Sequence, residues 1–152
     1  MPAPRRVLIV CMGNICRSPT AEVVLRDKAR ARGVSLEVDS VGTEGYHIGE
    51  PPDPRSVEHA RRRGYDLTSL RARRLAAEDF TRFDLLLAAD MVNLRAIRQR
   101  CPAEHVDKLA LFLGEEPLPD PYYGEADGFE QVLDLVEKRA DFLLDAWFGA
   151  KR

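Results

Sequence analysis

Short apolar runs rich in β-branched residues alternate along this chain with stretches in which apolar residues recur every three or four positions. The short runs predict buried strands, and the periodic stretches predict amphipathic helices. Strands are predicted at residues 7–10, 35–40, 83–89 and 106–112. Because strands alternate with helices, we expect an α/β fold: a four-stranded parallel sheet with helices on both faces.

Several predicted helices begin and end at residues with special backbone preferences. Ser18 and Pro19 are typical of a helix start, and Gly33 is typical of the position after a helix end. Asp53 before Pro54 predicts the capped start of a second helix that ends near residue 64. The remaining helices are predicted at residues 76–81, from 91 to just before 102, and over 129–147.

Length, charge and apolar runs limit the class of protein. A chain of 152 residues has the usual size of one domain, so a single domain over residues 1–152 is expected. The formal charge of −2 gives no overall field for nucleic acid or an anionic membrane. The apolar run at residues 7–12 is too short for a membrane span or a signal peptide. We therefore expect a cytoplasmic protein. For its oligomeric state, a monomer or a weak dimer is expected.

The spacing of cysteines and histidines indicates neither a disulfide scaffold nor a metal site. The chain has an odd number of cysteines, and their spacing matches no disulfide framework, so free thiols are expected at Cys11, Cys16 and Cys101. The histidines are scattered, and none pairs with another ligand type at metal-binding spacing. We therefore expect no metal and no other cofactor.

The loop between the first strand and the first helix carries residue types suited to phosphate chemistry. A loop that curls over a helix N-terminus directs backbone N–H groups inward, so it can hold a phosphate dianion and favour a thiolate. Cys11 is then the candidate nucleophile, and the guanidinium fork of Arg17 can bind two phosphoryl oxygens. The other candidate phosphate-binding residues of the loop are Met12, Gly13, Asn14, Ile15, Cys16 and Ser18.

A second segment, Asp120-Pro121-Tyr122-Tyr123-Gly124, bears on whether this loop is catalytic. On its own the loop allows a plainer interpretation, in which both cysteines are small buried apolar residues and the arginine is solvated. The second segment follows the fourth predicted strand and so lies near the same edge of the sheet. There Asp120 can protonate a leaving oxygen and, once ionised, activate the water that hydrolyses a cysteinyl-phosphate. The alternative for Asp120 is a turn-forming role.

Three tyrosines and one serine are further candidate site residues. Tyr122 and Tyr123, with Tyr46 on a Gly-rich loop, offer aromatic faces that can enclose a phenyl ring. The Ser18 hydroxyl either donates to the nucleophilic sulfur or caps the helix, and the sequence leaves both interpretations open.

Cys16 is also a candidate redox partner of Cys11. The two thiols lie in one curled loop, so a sulfenic acid that peroxide forms on Cys11 can be captured by Cys16 as a disulfide. The bridge is detectable as the loss of two hydrogens in the intact mass, and reductant should reverse it. The alternative is that Cys16 only packs behind the loop.

The residues described above resemble a known family. Residues 7–19 resemble the signature of low-molecular-weight protein tyrosine phosphatases, and residues 120–124 resemble their second signature. Further agreement in order and spacing is found at Ser40, residues 49–55, Asp79 with Phe80, and Asp90 with Asn93. The resemblance covers nearly the whole chain.

This resemblance implies a four-stranded parallel sheet, metal-free hydrolysis through a phosphocysteine, and tyrosine-phosphorylated proteins as partners. It also implies that Asn14 holds the loop in shape through hydrogen bonds to neighbours that include Ser40. Two positions depart from the family pattern. Leu70 stands where many members carry a supporting histidine, and Tyr46 stands where tryptophan is frequent. The support of the loop is therefore expected to differ in this chain.

Three other functions are weighed against this one. Arsenate reductases of the same fold pass electrons through two further cysteines, whereas Cys101 alone lies outside the loop here. Protein arginine phosphatases tend to carry threonine at the position of Ile15 and lack the tyrosine pair. A non-catalytic phosphate-binding module needs neither Cys11 nor Asp120, so the presence of both argues against it.

Overall fold

Four strands form one parallel sheet in the computed structural model, which describes residues 3–122, 124 and 126–149. The strands are β1 (Arg6–Cys11), β2 (Glu37–Gly42), β3 (Leu85–Ala88) and β4 (Leu109–Leu111). Their order is β2-β1-β3-β4, and each neighbouring pair is parallel. The predicted α/β fold with a four-stranded parallel sheet is confirmed.

Helices cover both faces of this sheet. They are α1 (Arg17–Ala31), α2 (Pro54–Arg62), α3 (Asp79–Arg82), α4 (Met91–Arg100) and α5 (Ala126–Phe148). Residues of α1, α2 and α5 share one apolar core, and residues of α3 and α4 share a core on the opposite face. Among the described residues, no helix combines the length and the apolar character that a membrane crossing requires.

The central strand β1 is buried on both sides. Val7 and Ile9 belong to the core with α1 and α5, whereas Leu8 and Val10 belong to the core with α3 and α4. This division follows from strand geometry, because successive side chains point to opposite faces. A strand that is covered on both faces needs apolar residues at every position. The continuous apolar run of β1 therefore allowed this strand to be predicted from the sequence.

Several predicted boundaries were wrong by a few residues. The apolar run at 106–112 predicts one strand, but Ala103–Lys108 forms a 3₁₀-helix and β4 pairs with β3 only over Leu109–Leu111. In the same way, β2 begins at residue 37 rather than 35, and β3 covers 85–88 rather than 83–89. Apolar patterning shows which residues are buried, but it does not show where the hydrogen-bonded pairing ends. The predicted cap of α2 is correct, since the Asp53 side chain accepts from the backbone N–H of Arg55.

Truncation of Leu144 tests how α5 packs on the sheet. Leu144 is 0% exposed in the core shared by α1 and α5, so Leu144→Ala leaves a cavity. We expect the free energy of unfolding, measured by urea denaturation, to fall by about 2–5 kcal/mol. Phe142→Ala on the same helix is the control, because Phe142 is 57% exposed and should cost about 1 kcal/mol or less. Equal losses in the two variants would contradict this packing.

Candidate active site

A short loop, residues 12–16, joins the end of β1 to the start of α1. Cys11 is the last residue of β1, and Arg17 is the first residue of α1. Cys16 occupies the N-cap position, where no described side chain forms a capping hydrogen bond. The first backbone N–H groups of the helix can therefore bind an anion, and the helix dipole adds partial positive charge there.

Asn14 links this loop to three other segments. Its φ of +60° lies in the left-handed region, which asparagine tolerates better than most residues. The side-chain Nδ2 donates to Ser18 Oγ at 2.8 Å and to Ser40 Oγ at 2.9 Å. The side-chain Oδ1 accepts from the backbone N–H of Arg73 at 3.1 Å. These contacts agree with the structural role that the family resemblance implies for Asn14.

Cys11 is 3% exposed, and its sulfur faces two polar groups. Ser18 Oγ lies 3.0 Å from Cys11 Sγ, and the backbone N–H of Asn14 donates to the sulfur at 3.3 Å. The capping role considered for Ser18 is wrong, because α1 begins at Arg17, its N-cap is Cys16, and Ser18 lies inside the first turn. Of the two interpretations of Ser18, the contact with the sulfur is the one present.

Arg17 is buried next to the sulfur and held by two acceptors. Its Nη1 donates to Asp90 Oδ2 at 2.8 Å and to the carbonyl oxygen of Leu118 at 3.0 Å. Burial by itself lowers the pKa of Arg17, but the neighbouring Cys11 and Asp90 raise it above its ordinary value. The guanidinium is therefore a permanent cation whose position is fixed before any ligand binds.

Asp120 comes close to Arg17 although the two signatures are distant in sequence. Asp120 Oδ2 lies 3.7 Å from Arg17 Nη2, and the carboxylate side chain is 45% exposed. The other oxygen, Oδ1, accepts from the backbone N–H of Tyr122 at 3.0 Å. The parallel sheet thus brings the predicted acid and the predicted phosphate-binding arginine to the same edge.

Cys11, Arg17 and Asp120 line one pocket of about 120 Å³. Its other lining residues are Met12, Gly13, Ile15, Cys16, Tyr46, His47 and Tyr122. The predicted site residues Asn14, Ser18 and Ser40 lie behind the pocket and support the loop through hydrogen bonds. Tyr123 was also predicted as a site residue and lies outside the described residues.

Two predicted tyrosines stand at the pocket with different exposures. Tyr46 is 72% exposed, whereas Tyr122 is partly buried. The guanidinium of Arg55 lies 5.5 Å from the centre of the Tyr122 ring, and the His47 ring lies 6.3 Å from it. Tyr122 thus lies between two neighbouring side chains, whereas most of the Tyr46 side chain is open to solvent.

Sequence reasoning missed His47 as a pocket residue. The His47 Nδ1 pairs with the carboxylate of Glu50, and the ring packs closely on the loop glycine. A β-carbon added at Gly13 would lie 2.9 Å from His47 Cδ2, so a larger residue at Gly13 would displace the ring. The available hint was the position of His47 beside Tyr46, but a single loop histidine does not indicate a pocket.

Leu70, one of the two departures from the family pattern, supplies no polar group to the loop. It is partly buried and packs against the core that contains α1 and α5. The polar support around Asn14 comes instead from the backbone N–H of Arg73 and from Ser40, whose hydroxyl donates to buried Glu22.

Cys16 is buried in a small apolar cluster with Ile15, Ala72 and Phe129. Burial raises the pKa of the Cys16 thiol to about 12, although a hydrogen bond with Ser56 lowers it. Cys16 is therefore a protonated thiol at neutral pH, which does not suit a nucleophile. Cys11 and Cys16 are both free thiols, so their disulfide stays a prediction from the sequence.

The fold and the pocket define a class of protein. It is an α/β protein in which a phosphate-binding type of loop, with a cysteine and an arginine, lies at the carboxyl ends of the parallel strands. The family model described as low molecular weight phosphotyrosine protein phosphatase matches residues 6–150. The chain therefore belongs to this family.

Individual relatives agree with the family assignment. A low molecular weight protein-tyrosine-phosphatase of Streptomyces coelicolor is 42% identical over 93% of this chain and 92% of the relative. The crystal structure of a low molecular weight phosphotyrosine phosphatase from Vibrio cholerae O395 superposes with a TM-score of 0.89 at 37% identity, covering 94% of this chain and 96% of the other. Vibrio vulnificus Wzb, solved in complex with benzylphosphonate, has a TM-score of 0.82 at 30% identity, covering 94% and 96%.

Replacement of Asp90 tests whether the ion pair prepares Arg17 for phosphate. Asp90 also caps α4 through the backbone N–H of Asn93, so Asp90→Ser is chosen because serine retains a cap. We expect the affinity for inorganic phosphate, measured by calorimetry, to fall about tenfold, as for a lost hydrogen bond to a charged group. Asp107→Ser, an exposed site in the 3₁₀-helix, makes the same change in charge. Equal affinities in the two variants would refute the role of Asp90.

Proposed function

We propose that this protein hydrolyses phosphotyrosine in proteins through a cysteinyl-phosphate on Cys11 and without a metal. The observation that carries the proposal is the convergence of the Cys11 sulfur, the Arg17 guanidinium and the Asp120 carboxylate on one pocket. Membership of the phosphotyrosine protein phosphatase family supports the reaction. The benzylphosphonate held by the Vibrio vulnificus relative supports an aromatic phosphate ester as the ligand.

In the first step, the loop amides and Arg17 hold the phosphoryl oxygens while the Cys11 thiolate attacks phosphorus. The S–P bond forms, and the bond between phosphorus and the tyrosyl oxygen breaks. Protonated Asp120 gives its proton to that oxygen, so tyrosine leaves as a neutral phenol. Arg17 and the helix N-terminus stabilise the charge that develops on the equatorial oxygens, so the step does not depend on a metal ion.

In the second step, water attacks phosphorus on the face that the phenol has left. The carboxylate of Asp120 accepts a proton from this water, the S–P bond breaks, and inorganic phosphate forms. The Cys11 thiolate leaves, and the Ser18 hydroxyl at 3.0 Å stabilises it by donating a hydrogen bond. Asp120 is suited to both steps because it is half-exposed and has access to water.

The aromatic residues at the entrance support phosphotyrosine over smaller phosphate esters. The sulfur is buried, whereas Tyr46 is exposed and Tyr122 lies between Arg55 and His47 at the pocket. A phenyl ring is long enough to bring its phosphate to the sulfur while its faces contact these rings. A phosphoserine side chain is shorter than that of phosphotyrosine, and it has no aromatic ring whose faces could contact these residues.

The setting of the enzyme is also a proposal. A nucleophilic thiol requires a reducing compartment, which supports a cytoplasmic location. The single sheet with an apolar core on each face supports one domain. The expected oligomeric state is a monomer or a weak dimer. Sedimentation velocity at micromolar concentration distinguishes these states from a tight oligomer.

Cys11→Ser tests the nucleophile. We expect no turnover of para-nitrophenyl phosphate, because serine lacks a base to activate it, but retained binding of inorganic phosphate through Arg17 and the amides. Cys101→Ser is the control, since Cys101 lies at the far end of α4 and should leave turnover unchanged. Turnover by Cys11→Ser would remove the cysteine from the mechanism. Faster hydrolysis of a phosphoarginine peptide than of a phosphotyrosine peptide by the parent would favour the arginine phosphatase alternative.

Asp120→Asn tests the general acid. Asparagine keeps an acceptor for the Tyr122 backbone N–H, so the loop should retain its shape while kcat falls roughly a hundredfold to ten-thousandfold. The loss should grow with the basicity of the leaving group, because a poor leaving group depends most on protonation. Asp127→Asn, an exposed carboxylate in the first turn of α5, is the control. A loss that is the same for phenyl and para-nitrophenyl phosphate would contradict the assignment.

A further inference from the structure

A buried carboxylate on α1 has no part in the mechanism described so far. Glu22 is 2% exposed, although glutamate is seldom fully buried unless it is paired. Its Oε1 accepts a hydrogen bond from the Ser40 hydroxyl at 2.6 Å, and its Oε2 accepts from the guanidinium of Arg26. Burial raises the pKa of Glu22 above its ordinary value, and the hydrogen bonds from Ser40 and Arg26 offset part of that rise.

A continuous chain of hydrogen bonds joins Glu22 to the Cys11 sulfur. Ser40 Oγ, which donates to Glu22, accepts from Asn14 Nδ2 at 2.9 Å. The same Nδ2 donates to Ser18 Oγ at 2.8 Å, and Ser18 Oγ lies 3.0 Å from the sulfur. All five residues are buried, so water cannot replace a missing partner easily.

The donors and acceptors in the middle of this chain can be assigned from two groups, one that can only donate a hydrogen bond and one that can only accept. The backbone N–H of Arg73 can only donate, so the Asn14 atom that faces it is Oδ1. The Asn14 amide nitrogen therefore faces both serine hydroxyls and donates to each of them. A carboxylate can only accept, so the single hydroxyl hydrogen of Ser40 belongs to Glu22.

The direction of the last contact follows from the others. Because Ser18 accepts from Asn14, its own hydrogen is available to the Cys11 sulfur, and a donated hydrogen bond favours the thiolate. Without an acceptor at Glu22, the Ser40 hydroxyl has no group to donate to on that side. Its hydrogen would then point toward Asn14, where it would face the amide N–H that now donates to Ser40. Asn14 can then rotate, and Ser18 can accept from a neutral thiol.

We propose that Glu22 is a positioning residue that fixes the direction of this chain, so that Ser18 donates to the Cys11 thiolate. Arg26 also contributes, because its positive charge balances the negative charge of Glu22. Glu22 can therefore accept the hydrogen of Ser40 without adding much electrostatic repulsion to the Cys11 thiolate. The proposal rests on the proposed function only in taking Cys11 as the nucleophile.

Alkylation of Cys11 by iodoacetamide tests this proposal without using phosphatase activity. Glu22→Gln keeps the volume but presents an amide N–H to Ser40 or to Arg26, each of which needs an acceptor. We expect alkylation of Cys11 at neutral pH, followed by peptide mass, to slow about tenfold and its pH profile to move to higher pH. A rate and profile equal to those of the parent would overturn the proposal.

Two further variants separate direction from general destabilisation. Val24→Ala truncates a fully buried residue of α1 outside the chain, so it should lower the melting temperature without changing the alkylation profile. Ser40→Ala removes the link itself and should slow alkylation as Glu22→Gln does. In the double variant the two effects should not add, because both interrupt one chain.

The outcomes remain decisive if Glu22→Gln fails to fold. Folded Ser40→Ala that is alkylated at the parent rate would overturn the proposal, as would additive losses in the double variant. A slower rate in Val24→Ala would also overturn it, since destabilisation alone would then explain the effect. If alkylation behaves as expected but Cys11→Ser keeps full turnover, the proposed function fails while the hydrogen-bond chain stands.

Discussion

The proposed mechanism requires that negative charge be stabilised inside this protein where β1 ends and α1 begins. A buried sulfur anion beside a phosphate dianion is costly in a medium of low polarity unless donors and cations surround it. The uncapped N-terminus of α1, the buried guanidinium of Arg17 and the hydroxyl of Ser18 supply these groups. The Asn14 contacts hold the loop that orients them, so the proposed chemistry depends on this one constraint.

The apolar core fixes the position of this charged site. Both faces of β1 are covered, so Cys11 projects from a strand that cannot shift without disturbing two cores. The parallel sheet places the ends of β1 and β3 at the same edge, where Asp90 and Asp120 approach Arg17. Most of the geometry of the pocket thus follows from packing, and we propose that the hydrogen-bond chain behind the loop refines it.

The sequence predicted the parts of the site that depend on local pattern or on sheet topology. The apolar run of β1 identified the strand, and the parallel order brought Asp120 to the loop. It did not predict the burial of Glu22, because a glutamate four residues before Arg26 has the pattern of an exposed helical ion pair. It also left the role of Ser18 open, since a shift of two residues in the helix start turns a cap into a first-turn side chain. Such features depend on side-chain packing across distant segments, which no local pattern records.

The most direct measurement is to trap the covalent intermediate. The parent enzyme and Asp120→Asn are mixed with para-nitrophenyl phosphate, quenched in acid within milliseconds and digested, and the peptides are weighed by mass spectrometry. The proposed mechanism predicts a phosphoryl group on the peptide that contains Cys11, in the parent and in Asp120→Asn. Release of nitrophenolate with the phosphoryl group on another residue, or with none on the protein at any time, would contradict it.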